Sequence, residues 1–167
     1  MIQPRNVCLV QMGKKGLELV EAYPEISDVR NLNEIIIKSM PLGAKNGDFS
    51  TTTISDAIAF SSFIFSVPRT DERDNIASIV AVFDTPNYDS LQVQYTFSEI
   101  ISALKKNDLQ LIETLQNLLP NILKGLSVGF LQIKVSSVVT VDIKYRAKKE
   151  KDDPSKIVKD FKDDIWT

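Results

Sequence analysis

The chain has no histidine, so it lacks the side chain best suited to moving protons near neutral pH and the commonest zinc ligand. No Ser-His-Asp or Cys-His device can be assembled from it. The single cysteine, Cys8, sits in the apolar run Val7-Cys-Leu-Val10, a setting for a packed thiol and not for a nucleophile. Carboxylates pair at Asp71-Glu72 and Asp152-Asp153, but in charged stretches with no apolar wall to raise a pKa, so they read as solvated. Glycines cradle phosphate when they follow the G-x-x-x-x-G-K-[ST] spacing, which lets backbone amides wrap the phosphates. Gly43 and Gly47 are separated by three residues and Asp48 follows, while Gly13 and Gly16 lie closer still. Both pairs read as turns. No cofactor, metal or nucleotide is expected, and an enzyme using carboxylate or lysine chemistry is the least favoured reading.

Composition narrows the partners. The chain has 167 residues, enough for one domain with its own core, and its 43% hydrophobic and 25% charged residues are ordinary globular usage. With 20 basic and 22 acidic side chains the net charge is −2, without the basic surplus that phosphate backbones demand, so nucleic acid is not an expected partner. The dense charge at Arg146-Ala-Lys-Lys-Glu-Lys-Asp-Asp153 interleaves both signs and reads as a solvated tail. A lone cysteine suits a reducing compartment. The N-terminus has no secretory apolar segment, and no run approaches the ~20 apolar residues of a membrane helix. A cytoplasmic protein without direct membrane insertion is expected.

The elements that must position any site can be read from periodicity. Residues 6–12 form an apolar strand, Gly13-Lys-Lys-Gly16 a turn whose glycines supply positive φ, and 17–23 the returning strand, ended by Pro24. Residues 31–40 read as a helix closed by Pro41, although Ile35-Ile-Ile37 would also suit a buried strand. Strands follow at 49–55, 57–67 and 76–83, the last nearly continuously apolar as a central strand is. Val93, Phe97, Ile100, Ile101 and Leu104 then fall on one helix face, and Leu111, Leu115, Leu118, Leu119, Ile122 and Leu126 on another. Pro120 is predicted to kink or divide that second helix. Beyond residue 130 apolar and polar residues alternate to Tyr145, with Ser136-Ser137 marking either a bulge or a break between two short strands. Sequential strands with helices grouped afterwards give an α+β fold.

Three stretches carry a family likeness: the opening Val7-Cys-Leu-Val-Gln-Met-Gly-Lys-Lys-Gly16 hairpin, its ending Ala22-Tyr23-Pro24, and Lys38-Ser-Met-Pro-Leu-Gly-Ala44. Over about residues 5–127 the chain resembles the longin superfamily, nearest the longin domains of DENN, folliculin and nitrogen-permease-regulator-like proteins. The last stretch is similar to that family's leucine-proline-aspartate-glycine-alanine loop, with Leu42 where aspartate is usual. The resemblance implies a longin (profilin-like) five-stranded antiparallel sheet sandwiched by helices, here with an extra C-terminal strand. Its domain would span 1–147, with core 5–127 and the extra strand in 130–145, before a charged flexible tail at 148–167. No SNARE coiled coil follows, which disfavours a membrane-fusion longin. With neither a DENN domain nor an anchor in the chain, a compact, archaeal-type relative is expected.

The resemblance also implies a function. Relatives of this kind bind small Ras-like GTPases in trafficking or signalling complexes, as homo- or heterodimers with other longin or roadblock-like proteins. Folliculin-like and nitrogen-permease-regulator-like longins present an arginine just before their central strand to the nucleotide site of a partner GTPase. Arg73-Asp74-Asn75 occupies that location here, with Arg69 the second choice, although Asp74 departs from the usual arginine-asparagine pairing. A guanidinium can stabilise charge on the transferring phosphate oxygens. The bland alternative is an exposed hairpin arginine paired to Glu72 or Asp71. Ile35, Ile36, Ile37, Pro41 and Leu42 form the expected partner-binding surface, because a helix apolar nearly all round needs a second cover. Residues 130–145 or the tail would provide that cover equally well. A different class, a small-molecule sensor with Phe60, Phe63 and Phe65 lining a pocket between sheet and helices, is the alternative function. Trp166 reads as a partner anchor or an incidental exposed residue.

Overall fold

Alternation within the strands sorts the apolar residues onto two faces of one sheet. The computed structural model describes residues 3–55, 57–70, 72–109, 111–134 and 140–144. Its elements run β1 (Asn6–Gly13), β2 (Gly16–Tyr23), α1 (Val29–Lys38), β3 (Phe49–Ser55), β4 (Ile58–Val67) and β5 (Asn75–Phe83). Helices α2 (Ser90–Lys106) and α3 (Leu111–Val128) follow, then β6 (Phe130–Lys134) and β7 (Thr140–Lys144). The first five strands form an antiparallel sheet in the order β2-β1-β5-β4-β3. β5 lies at the centre, where both faces are covered, which accounts for its unbroken apolar run.

On one face Val7, Leu9, Phe63, Phe65, Ile79 and Phe83 meet α2 and α3, which contribute Phe97, Ile100, Leu104, Leu115, Leu119 and Ile122. Each large side chain buried there contributes about 1.5–3 kcal/mol. On the other face Cys8, Val10, Phe60, Val80 and Val82 pack with Ile35 of α1. A bulge leaves Val20 of β2 unpaired, so Leu17 and Leu19 on one side of it and Ala22 on the other all turn to the α1 face.

Helix boundaries follow their caps. Asp28 accepts from the backbone N–H groups of Arg30 and Asn31 at 3.1 and 3.2 Å, starting α1 at Val29, two residues before the predicted start. The helix reading of the isoleucine run holds, but α1 ends at Lys38 with Ser39 as its cap, short of Met40. Asp89 caps α2 in the same manner, accepting from Gln92. Pro120 neither divides nor ends α3. It stands on the exposed side of the helix, where water can satisfy the carbonyl its missing N–H leaves without a partner. In the β1–β2 turn only Gly16 takes positive φ (118°); Gly13 does not.

The segment expected to give an extra strand forms an antiparallel hairpin, β6 with β7, in a two-stranded sheet of its own. Its strands lie beside α3 and α2. Ser136-Ser137, the tail from 148, its Asp152-Asp153 pair and Trp166 lie outside the described residues.

Candidate functional site

Two surfaces carry the residues singled out from the sequence. The first is the sheet end where β4 passes into β5. There Arg69 Nη1 donates to Glu72 Oε2 at 2.6 Å, an i,i+3 pair that holds the loop against itself. Glu72 is thus taken by Arg69, and not by Arg73 as the bland alternative allowed. Arg73 is exposed and makes no hydrogen bond or ion pair with a described residue. Asp71, its other offered partner, lies outside the described residues. The start of β5 is fixed beside β1 by Asn75, whose Nδ2 donates to the Met12 carbonyl at 3.0 Å.

Two clefts flank this loop. One, of about 760 Å³, runs along Val67, Pro68, Leu109 and Ile112 to the junction of α2 and α3. Asp108 on its rim adopts φ 54°, a left-handed conformation that Asp tolerates better than most residues. The other, of about 930 Å³, lies between the loop and the β1–β2 turn and is lined by Met12, Lys14, Lys15 and Arg69. These clefts have no sequence signature, because their walls come from turns distant along the chain.

The second surface is α1 with the loop after it. The structure divides the predicted set. Ile35 is 1% exposed in the core and Ile36 is half-buried beside it, whereas Ile37 is 68% exposed, Pro41 is exposed and Leu42 is fully in solvent. The helix is therefore amphipathic, not apolar all round, and only Ile37, Pro41 and Leu42 remain outward. Both edge strands of the sheet, β2 and β3, reach α1. The described strands β6 and β7 lie by α3 and α2, which pack on the other face of the sheet from α1.

A polar node ties the α1 loop to the first surface. Asn46 Oδ1 accepts from the Ser66 backbone N–H at 3.0 Å and from Lys105 Nζ at 3.5 Å, and Lys105 also donates to Ser66 Oγ at 3.1 Å. Gly43 and Gly47, with φ of 82° and 94°, make the turns of this loop. A second polar chain, Thr51 Oγ1 to Ser61 Oγ to Tyr88 Oη, crosses the opposite face at 3.1 and 2.6 Å. Burial raises the Tyr88 hydroxyl pKa. Neither chain has a sequence signature, since each joins single residues from three elements.

The sensor residues do not come together. Phe60 packs on the α1 face while Phe63 and Phe65 pack under α2 and α3, and all three are buried in core. Cys8 is fully buried, and desolvation pushes its thiol pKa up to about 12. Among the described residues no group of three or more His, Cys, Asp or Glu comes together to hold a metal ion. No described helix is long and apolar enough to cross a membrane. No protein-family model matches the chain, and no curated protein matches it in sequence.

Proposed function

We propose that this protein is a longin-like interaction module that pairs with a second longin or roadblock-like chain and presents its β4–β5 loop to a small Ras-like GTPase in the cytoplasm. The observation that carries this reading is Arg73. It stands exposed immediately before the central strand, with no described partner, while the neighbouring Arg69 is held by Glu72. An arginine so presented can enter another protein's active site without first breaking an ion pair with a described residue. The α+β order, with a five-stranded antiparallel sheet and helices on both faces, is compatible with the longin resemblance.

Pairing is supported by the α1 side. Ile37, Pro41 and Leu42 face solvent, and α1 reaches β3, an edge strand whose seven residues, Phe49–Ser55, include no charge. Edge strands are usually protected by charged residues, as β2 is by Glu18 and Glu21. Single-turnover GTP hydrolysis by a bound GTPase tests the arginine. Arg73→Ala should slow it by roughly 10³–10⁵ while the complex persists. Equal rates in both forms would remove the finger.

A small-molecule sensor is the second reading, and one observation favours it. The cleft along Val67, Pro68, Leu109 and Ile112, at about 760 Å³, has the size of a ligand site, and its lining combines these apolar residues with Arg69, Glu72, Asp108 and Glu113. A ligand-dependent rise in melting temperature that Ile112→Asp abolishes would support it.

A further inference from the structure

The two clefts beside the β4–β5 loop differ in charge. Towards α3 the lining carries Glu72, Asp108 and Glu113 against Arg69 alone. Towards the β1–β2 turn it carries Lys14, Lys15 and Arg69 against Glu18 and Glu72. Arg69 binds Glu72 at 2.6 Å, whereas Glu18 accepts from the neutral Gln11 Nε2 at 3.0 Å and keeps its charge, so the lining of this second cleft has a surplus of one positive charge. Lys14 and Lys15 are exposed and form no ion pair with a described residue. Arg73 and Asp74, further along the loop, lie outside the lining.

The fold does not require lysine at these positions. In this turn only Gly16 needs positive φ, so most residues would serve at 14 and 15. Two adjacent like charges at a turn tip repel each other and stabilise nothing described. Below them Met12, 41% exposed, and Val67 give the cleft an apolar floor. Arg69 uses Nη1 on Glu72, and a guanidinium has further N–H donors to offer.

We propose that this cleft receives a segment of a partner protein in which carboxylates alternate with apolar side chains. This rests on the reading of the β4–β5 loop as a protein-docking surface. The carboxylates meet Lys14, Lys15 and the remaining Arg69 donors, and the apolar side chains cover Met12 and Val67. A free phosphate would satisfy the cations but leave the floor wet, so a peptide is the better match. Exposed cations of this kind steer encounter, and their effect is screened by salt.

The test uses the full chain and a short fluorescent peptide of alternating Glu and Leu residues, followed by anisotropy and by amide chemical shifts. Binding should weaken with added salt, shift the amides of residues 12–15, 67 and 69, and fall roughly tenfold in Lys14→Ala/Lys15→Ala, as expected for two exposed ion pairs. The same peptide with Gln for Glu should not bind, and inorganic phosphate should not displace the acidic one. No binding, binding indifferent to the lysines, shifts confined to other surfaces, or displacement by phosphate would each overturn the proposal. So would tighter binding by a peptide of this chain's own residues 159–167, which would make the occupant internal. Arg73→Ala should leave peptide binding intact. A GTPase complex that tolerates loss of both lysines would remove the cleft alone, whereas peptide binding without any GTPase complex would remove the GTPase reading alone.

Discussion

Two isoleucines two positions apart on α1 should respond to the same substitution in opposite ways. Ile35 is 1% exposed and Ile37 68% exposed. Ile35→Ala removes buried carbons worth about 0.8 kcal/mol each and leaves a cavity against Phe60, Val80 and Val82, a total of about 2–5 kcal/mol. Ile37→Ala withdraws only the minor, covered part of its side chain, under about 1 kcal/mol. Alanine's higher helix propensity acts on both equally and cancels in the comparison. In thermal melts, Ile35→Ala should lower the midpoint by roughly 5–15 °C and Ile37→Ala by no more than about 3 °C. By contrast, Ile37→Ala should weaken pairing with a second chain in sedimentation, because its side chain belongs to the outward surface. Equal destabilisation by both substitutions would mean that α1 is rotated relative to the sheet, and the division of the partner surface would fail with it.

Other expectations follow from single residues. Ser78 Oγ is fully buried and finds no partner among the described residues, so Ser78→Ala should raise stability by about 1 kcal/mol in urea melts; a loss of that size would reveal a hidden hydrogen bond. Asp28→Ala should cost about 1 kcal/mol by removing the α1 cap, read as a lower urea midpoint with unchanged slope. The Cys8 thiol pKa rises from 9.0 to about 12 on folding, so the unfolded chain releases this proton first. Stability should then be undiminished by this group below about pH 9 and fall between pH 9 and 12; the fall attributable to it should vanish in Cys8→Ala.

Much of the sheet was legible because one rule governs it. Val7 and Leu9 against Cys8 and Val10 sort themselves by parity, and the same parity puts Phe60 on one face and Phe63 and Phe65 on the other. Grouping those three phenylalanines as one pocket overlooked that period. Helix α1 was harder, because three consecutive isoleucines give no contrast from which to orient a helix; Asp28, three residues before the predicted start, was the better signal. The residues after 129 alternate well enough to announce strands, but alternation does not say which partner a strand pairs with, and β6 pairs with β7. At the candidate site, the position of Arg73 before the central strand was readable. That Arg69 would be the arginine held by Glu72 depends on loop geometry, as do the clefts on either side.

A protein of this kind acts, on the function proposed above, by presenting its outer surface to another protein. Calorimetric titration of the purified chain against a set of small Ras-like GTPases, each loaded with GDP and with a GTP analogue, tests it most directly. A saturable complex with at least one of them, sensitive to the bound nucleotide, is the expected result. No complex with any GTPase in either state, alongside turnover of a substrate by the chain unaided, would contradict it.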